Sequence, residues 1–316
     1  MKKPKILIIG SLNMDLVLKT KTLPTLGESL IGDEYLYIHG GKGGNSAVAA
    51  TRMDANVTFL GKVGQDVFGE ELIGSLKTLS IDTTHIEKDE KMRSGLAVVM
   101  VEEGGKNRIL VYPEANMMIS KEAVDRVFKE EFDAIILQFE IPEAVVIHAC
   151  RLAKEKNIPF FVDAGPAQDF PLEKMPGAAI LSPNETETFA MTGVEVTDIK
   201  SAKMAARILK ARSGATYIVI KAGQQGAFIY DGKDITHLKA LKVDAIDPTA
   251  AGDAFTAAMA VEYLKHQNIE KAVAFANGVG ALTVTKLGAQ PSIPNRQEVE
   301  VFLKENDENG FEREKK

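Results

Sequence analysis

Residues 134–162 read AIILQFEIPEAVVIHACRLAKEKNIPFFV, and this stretch decides the fold. Ala134–Leu137 and Phe160–Val162 are short, continuous apolar runs with the length and composition of strands buried on both faces. Glu143–Lys156, between them, carries an amphipathic helical pattern. Strand, crossover helix and strand in that order make a right-handed unit of a parallel sheet. Working outward, the same rhythm recurs. Further parallel strands are expected at Lys5–Ile9, Val57–Leu60, Ala179–Leu181 and Tyr217–Ile220, and further helices at Gly44–Met53, Gly69–Leu79, Asn184–Met191 and Ile199–Ser213. The pattern implies an α/β fold of three layers, α-β-α, around a mostly parallel central sheet.

Two regions break the rhythm. Leu16–Thr20 with Leu30–Ile38, and Leu96–Glu102 with Arg108–Tyr112, read as strands with no helix between them. Glu102-Glu103-Gly104-Gly105-Lys106-Asn107 joins the second pair as a hairpin turn. These strands, from about 14–39 and 94–113, are expected to form a small antiparallel β lid on a single domain spanning 1–305. An edge extension of the main sheet is the alternative. The tail 306–316 is charged, glycine-punctuated and expected to fray.

The chain has 316 residues, 45% of them apolar and 26% charged, the profile of a globular protein that needs no disulfide or structural metal. A formal charge of −6 disfavours nucleic acid as a partner. The single cysteine, Cys150, excludes an intramolecular disulfide, and a reducing cytoplasm is the expected setting. Met1-Lys2-Lys3-Pro4-Lys5 is basic, but the apolar run after it is too short for a signal-peptide core, and no run of about 18 apolar residues suggests a membrane span.

Asp247-Pro248-Thr249-Ala250-Ala251-Gly252-Asp253 leads into the helical pattern Ala254–Lys265. Small residues before a helix leave its first amides open to a phosphate, and a carboxylate there can take a proton from an attacking hydroxyl. An ordinary Asp cap after a tight turn fits the same residues. Gly40-Gly41-Lys42-Gly43-Gly44-Asn45 is neither a Walker A loop nor a dinucleotide fingerprint; it offers backbone donors, a cation and an amide to a small polar ligand, or is a plain turn. Gly10-Ser11-Leu12-Asn13-Met14-Asp15 ends the first strand where open α/β sheets bind ligands, or closes an Asx turn.

Together these segments resemble the ribokinase family of sugar kinases over nearly the whole chain. Further matches are Gln138-x-Glu140-x-Pro142, Pro183-Asn184-Glu185-Thr186-Glu187 and Gly288-Ala289-Gln290-Pro291-Ser292. The resemblance implies an ATP-dependent kinase of a pentose, with ribose ahead because Asn13 keeps the amide typical of ribokinases. It implies that Asp253 is the catalytic base and that the amides of Ala250, Ala251 and Gly252 form the anion hole. Asn13, Asp15, Gly41, Lys42, Asn45 and Glu140 match sugar-binding positions. Asn184 and Glu187 match the element that organises Mg2+, partly through water, although locally they also form a capping-box pattern. Lys221, Gly223, Gly226 and Asn277 match nucleotide contacts. Asp247, Thr249, Thr283, Lys286, Gly288 and Ser292 match a K+ site, and a homodimer through the lids is expected of the family.

Three segments depart from the family pattern. Pro113-Glu114-Ala115-Asn116 places Glu114 where ribokinases carry glycine. Gly44 and Ser46 alter the usual G-G-K-G-A-N-Q, and Asp163-Ala164-Gly165-Pro166-Ala167 replaces N-P-A-P-A or D-P-A-P-A. None touches the base or the anion hole; they bear on which sugar is bound. The competing readings are a kinase of the same family acting on a ketose, a nucleoside or a sugar acid (the last using Arg93 or Arg108), a non-catalytic sugar or nucleotide sensor, and a dehydrogenase, which the missing dinucleotide motif disfavours.

Overall fold

The unit read from residues 134–162 forms as a strand at Ala134–Gln138, a helix at Glu143–Glu155 and a parallel neighbouring strand at Phe160–Asp163. The structure, a computed structural model, describes residues 3–103, 107–175, 177–307 and 313–315. Its strands, in chain order, are β1 (Lys5–Ile9), β2 (Asn13–Thr20), β3 (Glu34–Gly40), β4 (Asn56–Gly64), β5 (Asp82–Asp89), β6 (Gly95–Glu102), β7 (Asn107–Tyr112), β8 (Ala134–Gln138), β9 (Phe160–Asp163), β10 (Ile180–Ser182), β11 (Tyr217–Lys221), β12 (Ala227–Tyr230), β13 (Ile235–Leu238) and β14 (Arg313–Lys315). The helices are α1 (Lys42–Arg52), α2 (Val67–Thr78), α3 (Lys121–Val127), α4 (Glu143–Glu155), α5 (Glu185–Thr192), α6 (Ile199–Ser213), α7 (Ala251–His266), α8 (Ile269–Thr283), α9 (Ala289–Ser292) and α10 (Arg296–Asp307).

The main sheet has ten strands in the order β14-β13-β12-β11-β10-β9-β8-β1-β4-β5. From β11 to β5 every pairing is parallel; β12, β13 and β14 add antiparallel strands at one edge. Alternation along a strand explains the unbroken apolar runs. Ile6 and Ile8 of β1 join one core, with α1, α2, α7 and α8, while Leu7 and Ile9 join the other, with α3, α4, α5 and α6. The chain leaves β1 outward to β4 and β5, then returns to β8 on the other side. The carboxyl ends of β1 and β8 therefore flank the point where strand order reverses, the crevice in which open α/β sheets bind ligands.

The second sheet has four strands in the order β3-β2-β6-β7. Each expected hairpin is antiparallel, but β2 and β6, which join them, are parallel from Asn13↔Gly95 to Thr20↔Glu102. The small antiparallel sheet expected of these residues is present; its two hairpins meet in parallel because β2 and β6 run outward from the same end of the main sheet. The turn residues Gly104–Lys106 lie outside the described residues. Of the tail 306–316, residues 308–312 and 316 lie outside the described residues; α10 extends to Asp307, and Arg313–Lys315 pairs with β13 as an edge strand.

Candidate active site

α1 begins immediately after Gly41, whose φ of 84° is one that glycine adopts readily. A Cβ on Gly41 would lie 2.7 Å from the Asn13 nitrogen, so the loop can press against β2 only as glycine. Lys42 and Asn45 are three residues apart and share one helix face. Both reach the third residue of α7: Lys42 Nζ lies 3.1 Å from Asp253 Oδ1, and Asn45 Nδ2 donates to Asp253 Oδ2 at 2.8 Å. Two distant signatures of the sequence thus meet on one buried carboxylate, which is 5% exposed. Asn45 Oδ1 is buried without a partner among the described residues.

Beside Asp253 lies a polar pocket. Glu140 Oε2 accepts from the Ser11 hydroxyl, from the Lys42 amide at 3.2 Å and, more distantly, from Asn13 Nδ2 at 3.5 Å. Asn13 Oδ1 accepts from Asn116 Nδ2 at 2.8 Å, and Asn116 Oδ1 accepts from the Leu12 amide at 2.9 Å. Gly95 makes room for this pair, because a Cβ there would stand 2.2 Å from Asn13 Oδ1 and 2.3 Å from Asn116 Nδ2. Asp15 is packed over Gly40, and its carboxyl is pushed up to about 8, first by burial and then by the charges of Glu140 and Asp253. Burial likewise raises Glu140 against the pull of Lys42. A pocket of carboxylates and amides with unspent acceptors suits a neutral polyol, whose hydroxyls supply the missing donors.

A second cluster lies behind Asp253. Asp163, at the end of β9, is wholly buried; its Oδ2 accepts from Lys221 Nζ at 2.6 Å and from the Thr256 hydroxyl at 2.7 Å. Lys42 Nζ is 4.0 Å from Asp163 Oδ1. Burial works against ionising Asp163, but the charges of Lys221 and Lys42 outweigh it and hold the carboxyl below its usual range. Burial also works against charging Lys42, yet Asp253 and Asp163 hold its ammonium well above the usual lysine range. Lys221, matched to a nucleotide contact, is thus engaged inward, at the end of β11.

α7 starts on Ala250 in the left-handed conformation, at φ 64°. Of the three amides matched to the anion hole, that of Ala251 closes the preceding turn on the Pro248 carbonyl at 3.2 Å. The helix start leaves the amides of Gly252 and Asp253 without an intrahelical acceptor, and they carry the positive end of the helix dipole. Asn184 and Glu187 form the capping box of α5: Glu187 N donates to Asn184 Oδ1 at 2.8 Å and Asn184 N to Glu187 Oε2 at 2.7 Å. Asn184 Oδ1 also accepts from Thr186. With Glu187 Oε2 taken by the Asn184 amide, Oε1 remains, and a Cβ on Gly165 would lie 2.4 Å from it and 2.6 Å from Lys42 Nζ. Burial raises the Glu187 carboxyl, opposed by Lys221. Among the described residues there is no cluster of three or more His, Cys, Asp or Glu able to hold a metal.

Asp247 joins two loops. Its Oδ1 accepts from Thr249 N at 3.0 Å and Thr249 Oγ1 at 2.6 Å, and its Oδ2 from Gly288 N at 2.8 Å. The hydroxyls of Thr283 and Ser292 donate to their own helices' carbonyls, and Lys286 pairs with Glu298. Gly223 and Gly226, at φ 47° and 96°, make the β11–β12 turn, and Asn277 Nδ2 lies 3.4 Å from the carbonyl oxygens of Leu238 and Lys239. Ser11, Asn116 and Thr256 are site residues the sequence alone did not assign. Ser11 and Asn116 stood inside quoted motifs, whereas Thr256 reads as ordinary helix filling.

Residues 3–296 match the model of the pfkB family carbohydrate kinases, and the chain belongs to that family. It is 35% identical to a ribokinase of Haemophilus influenzae, over 94% of this chain and 97% of that one. A deoxyribokinase of Salmonella typhi is 32% identical, over 96% and 99%. The Arabidopsis thaliana ribokinase, solved in complex with ribose and ATP, superposes with a TM-score of 0.85 at 27% identity, covering 96% of this chain and 99% of that one.

Proposed function

We propose that the protein transfers the γ-phosphoryl group of ATP to the primary hydroxyl of D-ribose, giving ribose 5-phosphate. The observation that carries this reading is Asp253, held by Lys42 and Asn45 at the open end of α7 beside the Asn13–Glu140 pocket. Asn13, Asp15 and Glu140 bind the remaining hydroxyls and orient the sugar. Asp253 takes the proton of the primary hydroxyl as its oxygen attacks the γ-phosphorus and ADP departs. The amides of the first turn of α7 face the charge that builds on the transferred group. The nucleotide lies across the turn at Gly223 and Gly226 and beside Asn277.

Glu187 Oε1, buried and with no hydrogen bond among the described residues, is the oxygen that fits Mg2+, with the other ligands being waters and phosphate. Held there, Mg2+ would supply charge neutralisation for the phosphates. Asp247 has no cationic partner among the described residues, which fits K+ at the 247–249 and 283–292 loops. K+ there would brace the loop before α7. Asn13, held between Asn116 and Glu140, favours ribose over 2-deoxyribose: a sugar lacking a hydroxyl would leave the second N–H of Asn13 Nδ2 without an acceptor, at a cost of about 1–3 kcal/mol. The exposed Tyr35, Tyr37, Leu110 and Tyr112 of the lid fit the face of a homodimer. A cytoplasmic setting fits the same activity; among the described residues no helix is long and apolar enough to cross a membrane.

The test is ATP consumption with D-ribose, 2-deoxyribose, fructose and a nucleoside, each with and without K+. Ribose-dependent turnover raised by K+ is expected; no turnover with ribose alongside turnover with another acceptor would refute the substrate.

A further inference from the structure

The Asp163 cluster has no task in the mechanism above. Replacing a buried ion pair by apolar residues of similar volume is often neutral or stabilising, so stability alone is a weak reason for one. The placement of this one is informative. Asp163 Oδ2 takes Lys221 and Thr256, while Oδ1 accepts the Gly165 amide at 3.2 Å and lies 4.0 Å from Lys42 Nζ. Three of these partners lead to the reaction centre. Lys42 sits on Asp253. Thr256 is one turn beyond Asp253 on α7, with its hydroxyl 3.1 Å from the Gly252 carbonyl. Lys221 Nζ is 3.4 Å from the place a Gly252 Cβ would occupy, directly behind the anion-binding turn.

We propose that Asp163 is a positioning residue for phosphoryl transfer, its carboxylate tying Lys42 on the base side and Lys221 with Thr256 on the helix side into one rigid frame. The frame fixes the separation between the proton acceptor and the phosphate-binding amides, a geometry in which a displacement of about 1 Å costs about 10²-fold in rate. It is also a charge balance. Without the Asp163 carboxylate, Lys42 is left to Asp253, Glu187 and Glu140, and Lys221 to Glu187. Asp253 and Glu187 are then drawn from their places. The inference rests on the reading of Asp253 as the base.

The experiment compares Asp163→Asn, Lys221→Met, the double variant and Thr256→Val, using whichever acceptor the wild type turns over, so that a wrong sugar overturns the proposed substrate without touching this test. Rates are taken well below each variant's melting temperature. Asp163→Asn is expected to lower kcat about 10²-fold with the KM for sugar and for ATP within about twofold, and Lys221→Met in the same chain is expected to restore at least a tenth of the wild-type kcat. Thr256→Val keeps every charge and is expected to lose about tenfold in kcat at constant KM; it decides the matter if Asp163→Asn does not fold. Wild-type kcat in Asp163→Asn, a double variant no faster than the single, or an unchanged Thr256→Val would each overturn the assignment.

Discussion

Gly95→Ala places one methyl group where the structure leaves no room. The new Cβ would stand 2.2 Å from Asn13 Oδ1, 2.3 Å from Asn116 Nδ2 and 2.8 Å from the Leu12 carbonyl, against an ordinary contact of about 3.5–4 Å. The Leu12 carbonyl is backbone between β1 and β2 and cannot swing aside, so the two amides must each move by about 1 Å or more. That breaks the 2.8 Å bond between them and loosens the 2.9 Å bond from the Leu12 amide. Unpairing buried amides costs about 1–3 kcal/mol each, which gives about 2–6 kcal/mol for the two, divided between folding and sugar binding. At 1.4 kcal/mol per factor of ten, the KM for ribose should rise about 10–100-fold while the KM for ATP changes less than about twofold. Steady-state kinetics with each substrate varied, and urea unfolding of the ligand-free protein, read the two parts. A ribose KM and a urea midpoint both unchanged would refute the steric reasoning.

Asp253→Asn keeps the size of the side chain but can accept from only one of Lys42 and Asn45, and it removes the proton acceptor; turnover should fall by at least about 10³, with sugar and ATP binding by calorimetry nearly intact. Asp15 binds a proton in the folded state up to about pH 8 that it loses near pH 4 when unfolded. Its contribution is therefore fully present below pH 4 and lost as pH rises through about 8. Urea unfolding of the ligand-free protein at pH 6 and pH 9 should show a loss of up to about 3 kcal/mol, which Asp15→Asn abolishes. Glu114 holds φ at 46°, the left-handed conformation that glycine adopts freely. Glu114→Gly should leave the melting temperature unchanged or raise stability by up to about 1 kcal/mol, and a loss larger than that by calorimetry would mean the glutamate side chain is itself engaged.

The layers of this fold were legible because β1 and β8 are apolar on both faces, which only a sheet covered on each side explains. The polar cluster beside Asp253 was legible in part for a similar reason: Asn13, Asp15, Lys42, Asn45 and Glu140, which the structure brings together, sit in short, unusual motifs. What escaped depends on contacts between distant residues. The parallel pairing of β2 with β6 follows from where the two strands leave the main sheet, and no local pattern carries that. β5, Asp82-Thr83-Thr84-His85-Ile86-Glu87-Lys88-Asp89, is an edge strand rich in charge and lacks the apolar run that marked its neighbours. Thr256 and Asp163 are separated by 93 positions, and neither reads as a site residue without the other. Glu114 was visible as a departure, but the positive φ that gives the departure its meaning is a property of the backbone alone.

The four-stranded sheet is made of the same strands that build the pocket. β2 carries Asn13 and Asp15 at its root, and β6 begins at Gly95, against which the Asn13–Asn116 pair is packed. Any tilt of that sheet is therefore a movement of the atoms proposed to bind the sugar. Whatever occupies its outer face and whatever fills the pocket must accordingly share one free energy: each ligand shifts the affinity for the other by the same factor, in both directions.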